Sequence, residues 1–346
     1  MELFNPLAGQ SVFWQGALVA LSFGLAALLA HSFTPLAIRI ATDYNLVDRP
    51  DGRLKTHEAP VPYLGGMSIY LAFLLTLAMT YTFNQQVLGI LLAGTIVVLL
   101  GLVDDIGALS PRAKLLGQSL AILALMKAGI VIEIIYLPWY VAYPLTYVWL
   151  LGITNAFNII DIMDGLSAGV GLVGALSLLV VALLNGNVQI AVLTATLAGS
   201  LLGFLRFNSV PARIYLGDTG SLFIGLNLGA LAMIGSYTDR NPVAVVVPLI
   251  ILGVPIFDTF FVMYIRRRRG ISMFLGSPDH FALRLRAWAL TERQTVYLSY
   301  GVAALLSLAG GALMYLDRNG ALLALLLLAC AALLAAVWLN RIKTVP

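Results

Sequence analysis

Five aspartates fall at the ends of long apolar runs: Asp104 and Asp105 in LVDDIGALSPRAKLLGQ, Asp161 and Asp164 in NAFNIIDIMDGLSAG, and Asp218 in RIYLGDTGSLFIG. The chain carries only 16 acidic residues in 346, so five at such positions is a concentration. A carboxylate at a membrane edge is costly unless it is paired, hydrated or bound to a cation. Set among Gly, Asn and Lys, such a group points to metal-assisted chemistry on a phosphate.

Each segment has its own logic. Asp104 and Asp105 are adjacent, so their repulsion must be relieved, by a proton on one of them or by a shared cation. Ser110-Pro111 reads as a helix start, and Lys114, one turn inside, can offset the acids or hold a phosphate. Asn155, Asn158, Asp161 and Asp164 recur every three residues. On a helix that spacing lines one face, here with oxygens suited to Mg²⁺. In GDTGS, Gly217 and Gly220 permit close backbone approach, and the N-terminus of the following helix can face an anion. Asp218 beside it makes sense if a cation lies between it and a phosphate.

Three further features are weaker alone. The segment DRPDGRLKTHEAPVPYLGG brings Lys55 and His57, which could meet a phosphate or simply belong to a basic topogenic loop. Arg266 to Arg269 read first as a topological anchor. Beyond them His280 and Arg284 are four apart and could share a helical face. Asp258, inside an apolar run in PIFD, is either functional or a capping and packing residue.

The elements that must position these groups follow from composition. Hydrophobic residues make up 60% of the chain and charged residues 10%, against about 25% charged in a soluble domain. The chain therefore reads as an all-α, polytopic membrane helix bundle forming one integral membrane domain, 1–346. Spans are expected near 13–33, 63–83, 86–103, 113–130, 139–157, 166–184, 188–206, 219–236, 243–264, 294–315 and 320–340, eleven in all. NGN at 185–187 and LDRNG at 316–320 fit tight turns. The N-terminal stretch lacks a basic signal-peptide region, so the first helix is expected to remain as an anchor. With the C-terminus cytoplasmic and the N-terminus external, only Lys127, Arg240 and Arg318 of the 20 Lys and Arg fall outside. The opposite orientation violates the positive-inside rule. All five aspartates then face the cytoplasm, although Lys and Arg alone set the topology.

In this order the motifs resemble those of the polyprenyl-phosphate N-acetylhexosamine-1-phosphate transferase superfamily (glycosyltransferase family 4), with its WecA- and TagO-type branch and the related phospho-MurNAc-pentapeptide translocase. The resemblance runs from about Asp48 to Gln294. It implies a Mg²⁺-dependent enzyme (Mn²⁺ as an alternative) in the cytoplasmic membrane, with its active site on the cytoplasmic face. A polyprenyl phosphate would attack a UDP-amino sugar, giving lipid-diphosphate-sugar and UMP. Carried over, Asn158 and Asp218 are metal ligands. Asp105 contacts or deprotonates the lipid phosphate with Asp104 in support, and Asp161 orients the metal shell. Lys55 and Lys114 hold phosphates, Asp164 lies near the uridine, and His57, His280 and Arg284 join the substrate-binding set. The branch's HxHHRL element is HFALRL here, residues 280–285, so Ala282 and Leu283 replace two histidines. The remainder favours UDP-GlcNAc as donor, with the translocase reaction as the alternative. A cation-coupled transporter is the reading from another class. Expected partners are the two substrates and membrane lipids; no nucleic acid is expected, and a homodimer is allowed.

Overall fold

Long apolar runs with little strand signal become helices. The structure, a computed structural model, describes residues 12–48, 60–107, 109–133, 137–235, 237–238, 241–270 and 279–342. Among them are thirteen α-helices and one two-stranded antiparallel ribbon. They fall into two units, Met1–Gly235 and Ser236–Pro346.

The first unit holds α1 (Val12–Asp43), β1 (Val47–Asp48), β2 (Val61–Pro62) and α2 (Gly65–Thr80). It continues with α3 (Gln85–Gly107), α4 (Pro111–Lys127), α5 (Trp139–Ile159), α6 (Leu166–Leu184), α7 (Val188–Asn208) and α8 (Gly217–Ile234). Helices α7 and α8 are buried along most of their length. α1, α2 and α6 pack on α7, while α2, α3, α5 and α6 pack on α8. Gly199 and Gly203 of α7 lie against the carbonyls of Phe23 and Ala27 in α1, and a Cβ at either would collide with them. Lipid tails give helices no hydrophobic reason to pair, so small residues and close backbones supply the contact. The outer helix α4 turns Leu115, Leu116, Leu120 and Leu123 outward, an apolar face that suits lipid.

The second unit runs through a 3₁₀ turn (Pro242–Val246), α9 (Val247–Ile251), α10 (Gly253–Arg268), α11 (Phe281–Trp288), α12 (Glu292–Leu313) and α13 (Arg318–Arg341). Short α11 touches α10, α12 and α13. A Thr291–Gln294 capping box starts α12.

Two expectations change. The single span expected at 243–264 is broken at Leu252, and its two parts are bent by 73°. Pro255 has no N–H to offer the carbonyl of Ile251, and its ring crowds the preceding turn. Helix α1 extends to Asp43, beyond the apolar stretch that marked it; past the end of α7 it packs on α2, with Thr34 donating to the Ser68 hydroxyl at 3.0 Å. Among the described residues seven helices are long and apolar enough to cross a membrane, eight if the bent pair is one span. Helices α2 and α4, with 16 and 17 residues, fall short of that length. The turn at 185–187 is as expected, with Gly186 at φ 66°, whereas the turn expected at 316–320 lies at 314–317, with Asp317 capping α13, whose first turn holds 318–320.

Candidate active site

Three helices meet almost without side chains at the start of α8. Gly66 of α2 lies against the backbone of Thr219 and Gly220, and Gly101 of α3 against that of Asp218 and Thr219. This contact brings Asp105, one turn past Gly101, to the amides that open α8. Its Oδ1 accepts from the Asp218 amide at 2.8 Å, and its Oδ2 from the Thr219 amide at 3.1 Å and the Thr219 hydroxyl at 2.7 Å. The expected anion at this helix N-terminus is therefore the protein's own carboxylate. Gly217 has φ 72°, and a Cβ there would also run into Asp105.

Helix α4 delivers the cation. Ser110 caps it by accepting from the Ala113 amide at 3.3 Å, with Pro111 at its first position. One turn in, the Lys114 ammonium pairs with Asp104 at 3.0 Å and with Asp218, and donates to Asn158 Oδ1 at 3.1 Å. The Asn158 amide nitrogen donates to Asp218 Oδ1 at 2.7 Å and to the Ser221 hydroxyl at 3.0 Å. Asp104 also accepts from the Leu109 amide.

The three-residue spacing from Asn155 to Asp164 does not make one helical stripe. Helix α5 ends at Ile159, and Gly165 adopts φ 75° before α6. Only Asn155 and Asn158 lie on the helix. Asn155 pairs with Gln118 of α4, and Asn158 joins Asp218. Asp161 and Asp164 stand in the connecting turn between Ile160, which caps the end of α5, and Gly165, which opens α6. Asp164 Oδ2 accepts from the Ala212 amide at 2.8 Å, and Asn208 Oδ1 accepts from the Gly165 amide at 3.1 Å. Asp164 thus ties this turn to the loop that leads into GDTGS. Burial, then the charges of Asp218, Asp105 and Asp164, hold the Asp161 carboxyl well above the usual carboxylate range.

Lys55 and His57 lie outside the described residues. The chain enters and leaves their segment through the β1–β2 ribbon, where Asp48 faces Val61. The Tyr215 amide donates to Pro62 O at 2.8 Å, so this ribbon adjoins the GDTGS approach. Burial, then a hydrogen bond to Asp48, push the Tyr63 phenol up, with the charge of Asp105 adding to this.

His280 and Arg284 belong to the second unit and are engaged there. His280 Nδ1 meets Asp258 Oδ2 at 2.7 Å, and Asp258 Oδ1 accepts from the Phe281 amide at 2.9 Å. Asp258 is thus the cap of α11, one of its two expected roles. Arg284, 1% exposed, donates to Asp279 Oδ1 at 2.9 Å and to the carbonyls of Leu339 and Ile342 at 3.1 and 2.7 Å. Its guanidinium closes the end of α13.

As to a divalent cation, no group of three or more His, Cys, Asp or Glu forms a cage among the described residues. The donor set still fits Mg²⁺ in kind: the Asp218 carboxylate and Asn158 carbonyl are hard oxygens, with Asp104 beside them. In the structure the Lys114 ammonium supplies the positive charge between them. Residues not singled out from the sequence also matter here. Thr219 and Ser221 stand within GDTGS itself, whose hydroxyls were the available signal. Gln118 follows Lys114 by one helical turn. Asp279 adjoins His280, and its burial leaves no trace in sequence.

The glycosyl transferase family 4 model matches residues 87–236, a stretch that includes all five aspartates and Lys114. A "probable undecaprenyl-phosphate N-acetylglucosaminyl 1-phosphate transferase" of Bacillus subtilis (strain 168) is 34% identical over 301 residues, 84% of this chain and 83% of the relative. A decaprenyl-phosphate N-acetylglucosaminephosphotransferase of Mycobacterium leprae is 30% identical, covering 87% of this chain and 84% of its own. A phospho-N-acetylmuramoyl-pentapeptide-transferase of Halalkalibacterium halodurans is 31% identical, covering 78% and 88%.

Proposed function

The chain belongs to glycosyl transferase family 4, and we propose that it transfers N-acetylglucosamine 1-phosphate from UDP-GlcNAc to a polyprenyl phosphate, releasing UMP. The observation that carries this reading is the junction of Asp104, Asp218, Asn158 and Lys114 at the ends of four helices, α3, α8, α5 and α4. Similarity to relatives named for this transfer supports the donor and the lipid acceptor.

The reaction brings two anions together, so it needs positioning and neutralised charge more than covalent groups. The β-phosphorus of the donor is attacked by the lipid phosphate oxygen, and UMP leaves with the electrons of the broken bond. Lys114 gathers phosphate oxygens, and Asp104 and Asp218 hold its ammonium in place meanwhile. A carboxylate has about four lone-pair sites; Asp105 uses three on α8, and the remaining one is assigned to accept the P–OH proton of the lipid phosphate, which leaves its oxygen free to attack. Asp164, on the loop-binding turn, is assigned to the nucleotide side, and Asp161 to support of the metal shell. Asp218 and Asn158 would hold Mg²⁺, with Mn²⁺ as its substitute. When bound, the ion supplies Lewis-acid neutralisation of diphosphate charge.

The basic-residue asymmetry supports a cytoplasmic face for this site and the cytoplasmic membrane as its location. A transporter site would lie near mid-bilayer between broken helices. These acids are instead at helix ends: the last turn of α3, the first of α8 and the α5–α6 turn. A panel of UDP-sugars with polyprenyl phosphate, read by UMP release, tests the reading. UDP-GlcNAc should lead the panel. Turnover confined to UDP-MurNAc-pentapeptide moves the assignment to the translocase reaction, and silence across the panel ends it.

A further inference from the structure

Helix α4 brings Lys114 to the site, and its buried apolar residues, Ala121, Ile122 and Leu125, all lie beyond Lys114 toward the far end of the helix. Its outward face is exposed leucine, and lipid cannot hold a helix in register. Nearer Lys114 it has a notch and polar contacts to α5, of which Ser119 Oγ to Tyr147 Oη at 2.7 Å is one. Gly117 takes the side chain of Leu100 from α3. One turn beyond Lys114, Gln118 is 2% exposed and forms a reciprocal amide pair with Asn155 of α5. The Asn155 nitrogen donates to Gln118 Oε1 at 2.7 Å, and the Gln118 nitrogen to Asn155 Oδ1 at 3.3 Å. Asn155 also donates to Leu151 O at 2.8 Å, which fixes its own orientation.

The two helices run antiparallel here, so the contacts form rungs. Lys114 meets Asn158 on one, and Gln118 meets Asn155 on the next. Spacings of four on α4 and three on α5 keep both rungs on facing sides. A buried amide that loses its partner is left with unsatisfied polar atoms, so any slip of α4 along α5 is opposed. A slip of about one residue, roughly 1.5 Å, would carry Lys114 away from Asp218 and Asn158.

We infer that Gln118 and Asn155 are positioning residues that set the height of Lys114 against Asp218 and Asn158. The inference rests on the proposed role of Lys114 in phosphate transfer, but the contact it describes can be measured without turnover. The variants are Gln118→Leu, Asn155→Leu and the swap Gln118→Asn with Asn155→Gln, in the full chain in detergent or nanodiscs. Two quantities are read: acylation of Lys114 by an amine reagent, followed by mass spectrometry with exposed Lys127 as internal control, and kcat and KM for the donor. Each leucine variant should speed Lys114 acylation several-fold while leaving Lys127 unchanged. It should lower kcat on the order of 10-fold to 100-fold with KM little altered, and the swap should restore both. If a leucine variant does not fold, Gln118→Asn alone, too short to reach, replaces it. Unchanged Lys114 acylation overturns the inference whatever the rates. Faster acylation with normal kcat also overturns it. No UMP release from the unmodified protein sinks the transferase reading alone, and the acylation still decides the rung.

Discussion

The two units use the same residue types in opposite ways. In the first, Asp104 and Asp218 share one lysine and keep accessible surface, with side chains 13% and 28% exposed. Asp161 has neighbours of its own sign. In the second, Asp258 and Asp279 are fully buried; Asp258 meets the His280 imidazole and the Phe281 amide, and Asp279 meets the guanidinium groups of Arg269 and Arg284. Charges that are buried and matched hold a fold together; charges left part-open and short of cations are available to a ligand. The motif histidine and arginine illustrate the point. His280 and Arg284 are bound into the second pattern, with Arg284 closing the end of α13. The replacement of their two histidine neighbours by Ala282 and Leu283 suits that role, since Ala282 is itself buried.

This contrast can be broken. Asp218→Ala should carry the largest effect, lowering UMP release about 1,000-fold while the thermal midpoint stays within a few degrees. A loss of folding equal to that of an Asp279 variant would erase the distinction. Asp105→Asn comes next. It keeps one acceptor oxygen for α8 but loses charge, and turnover should fall about 100-fold with a smaller fall in stability, about 1 kcal/mol, in chemical denaturation. Asp279→Ala should reverse the order of effects. It leaves Arg284 buried without its carboxylate, at about 3–5 kcal/mol, and the joint change Asp279→Leu with Arg284→Met should recover much of that. Denaturation of the three proteins side by side decides it.

The smallest effect belongs to Asp161→Asn. The folded protein holds this carboxyl above its ordinary range, so the unfolded chain ionises first as pH rises. Below about pH 4, near the unfolded value, the carboxyl is protonated in both states and its stabilising share is complete. That share is lost as pH climbs toward the folded value. Melting curves without divalent cation should therefore coincide with the variant's near pH 4, and at pH 7 the variant should melt higher by a few degrees. Coincident curves at both pH values would mean that Asp161 feels no net repulsion.

Most helices were legible because each apolar run is its own signal, and the Ser110-Pro111 start was legible from its cap. What escaped was tertiary. Asp104 and Asp105 look alike in sequence, yet Asp104 pairs with lysine while Asp105 turns to the α8 amides. The Asn155–Asp164 spacing suggested one stripe because periodicity carries no notice of where a helix stops; Gly165 marks the start of α6, not the end of α5 at Ile159. The break at Leu252 was likewise encoded, in Pro255, but hydropathy ran straight across it. Arg284 was singled out, but its contacts could not be read, since its carbonyl partners at the end of α13 are 55 and 58 residues away.

The carboxylate of Asp105 on the first amides of α8 has a consequence for inhibitor chemistry. A helix start is a tempting anchor for a phosphonate or sulfonate warhead. Here that anchor is taken by a tethered group whose local concentration no free compound matches, seated against the bare backbone of Gly217. A compound aimed at this junction should carry its acidity toward Lys114 and present neutral hydrogen-bonding groups to α8. A series that varies only the acid nearest α8 should show a flat response.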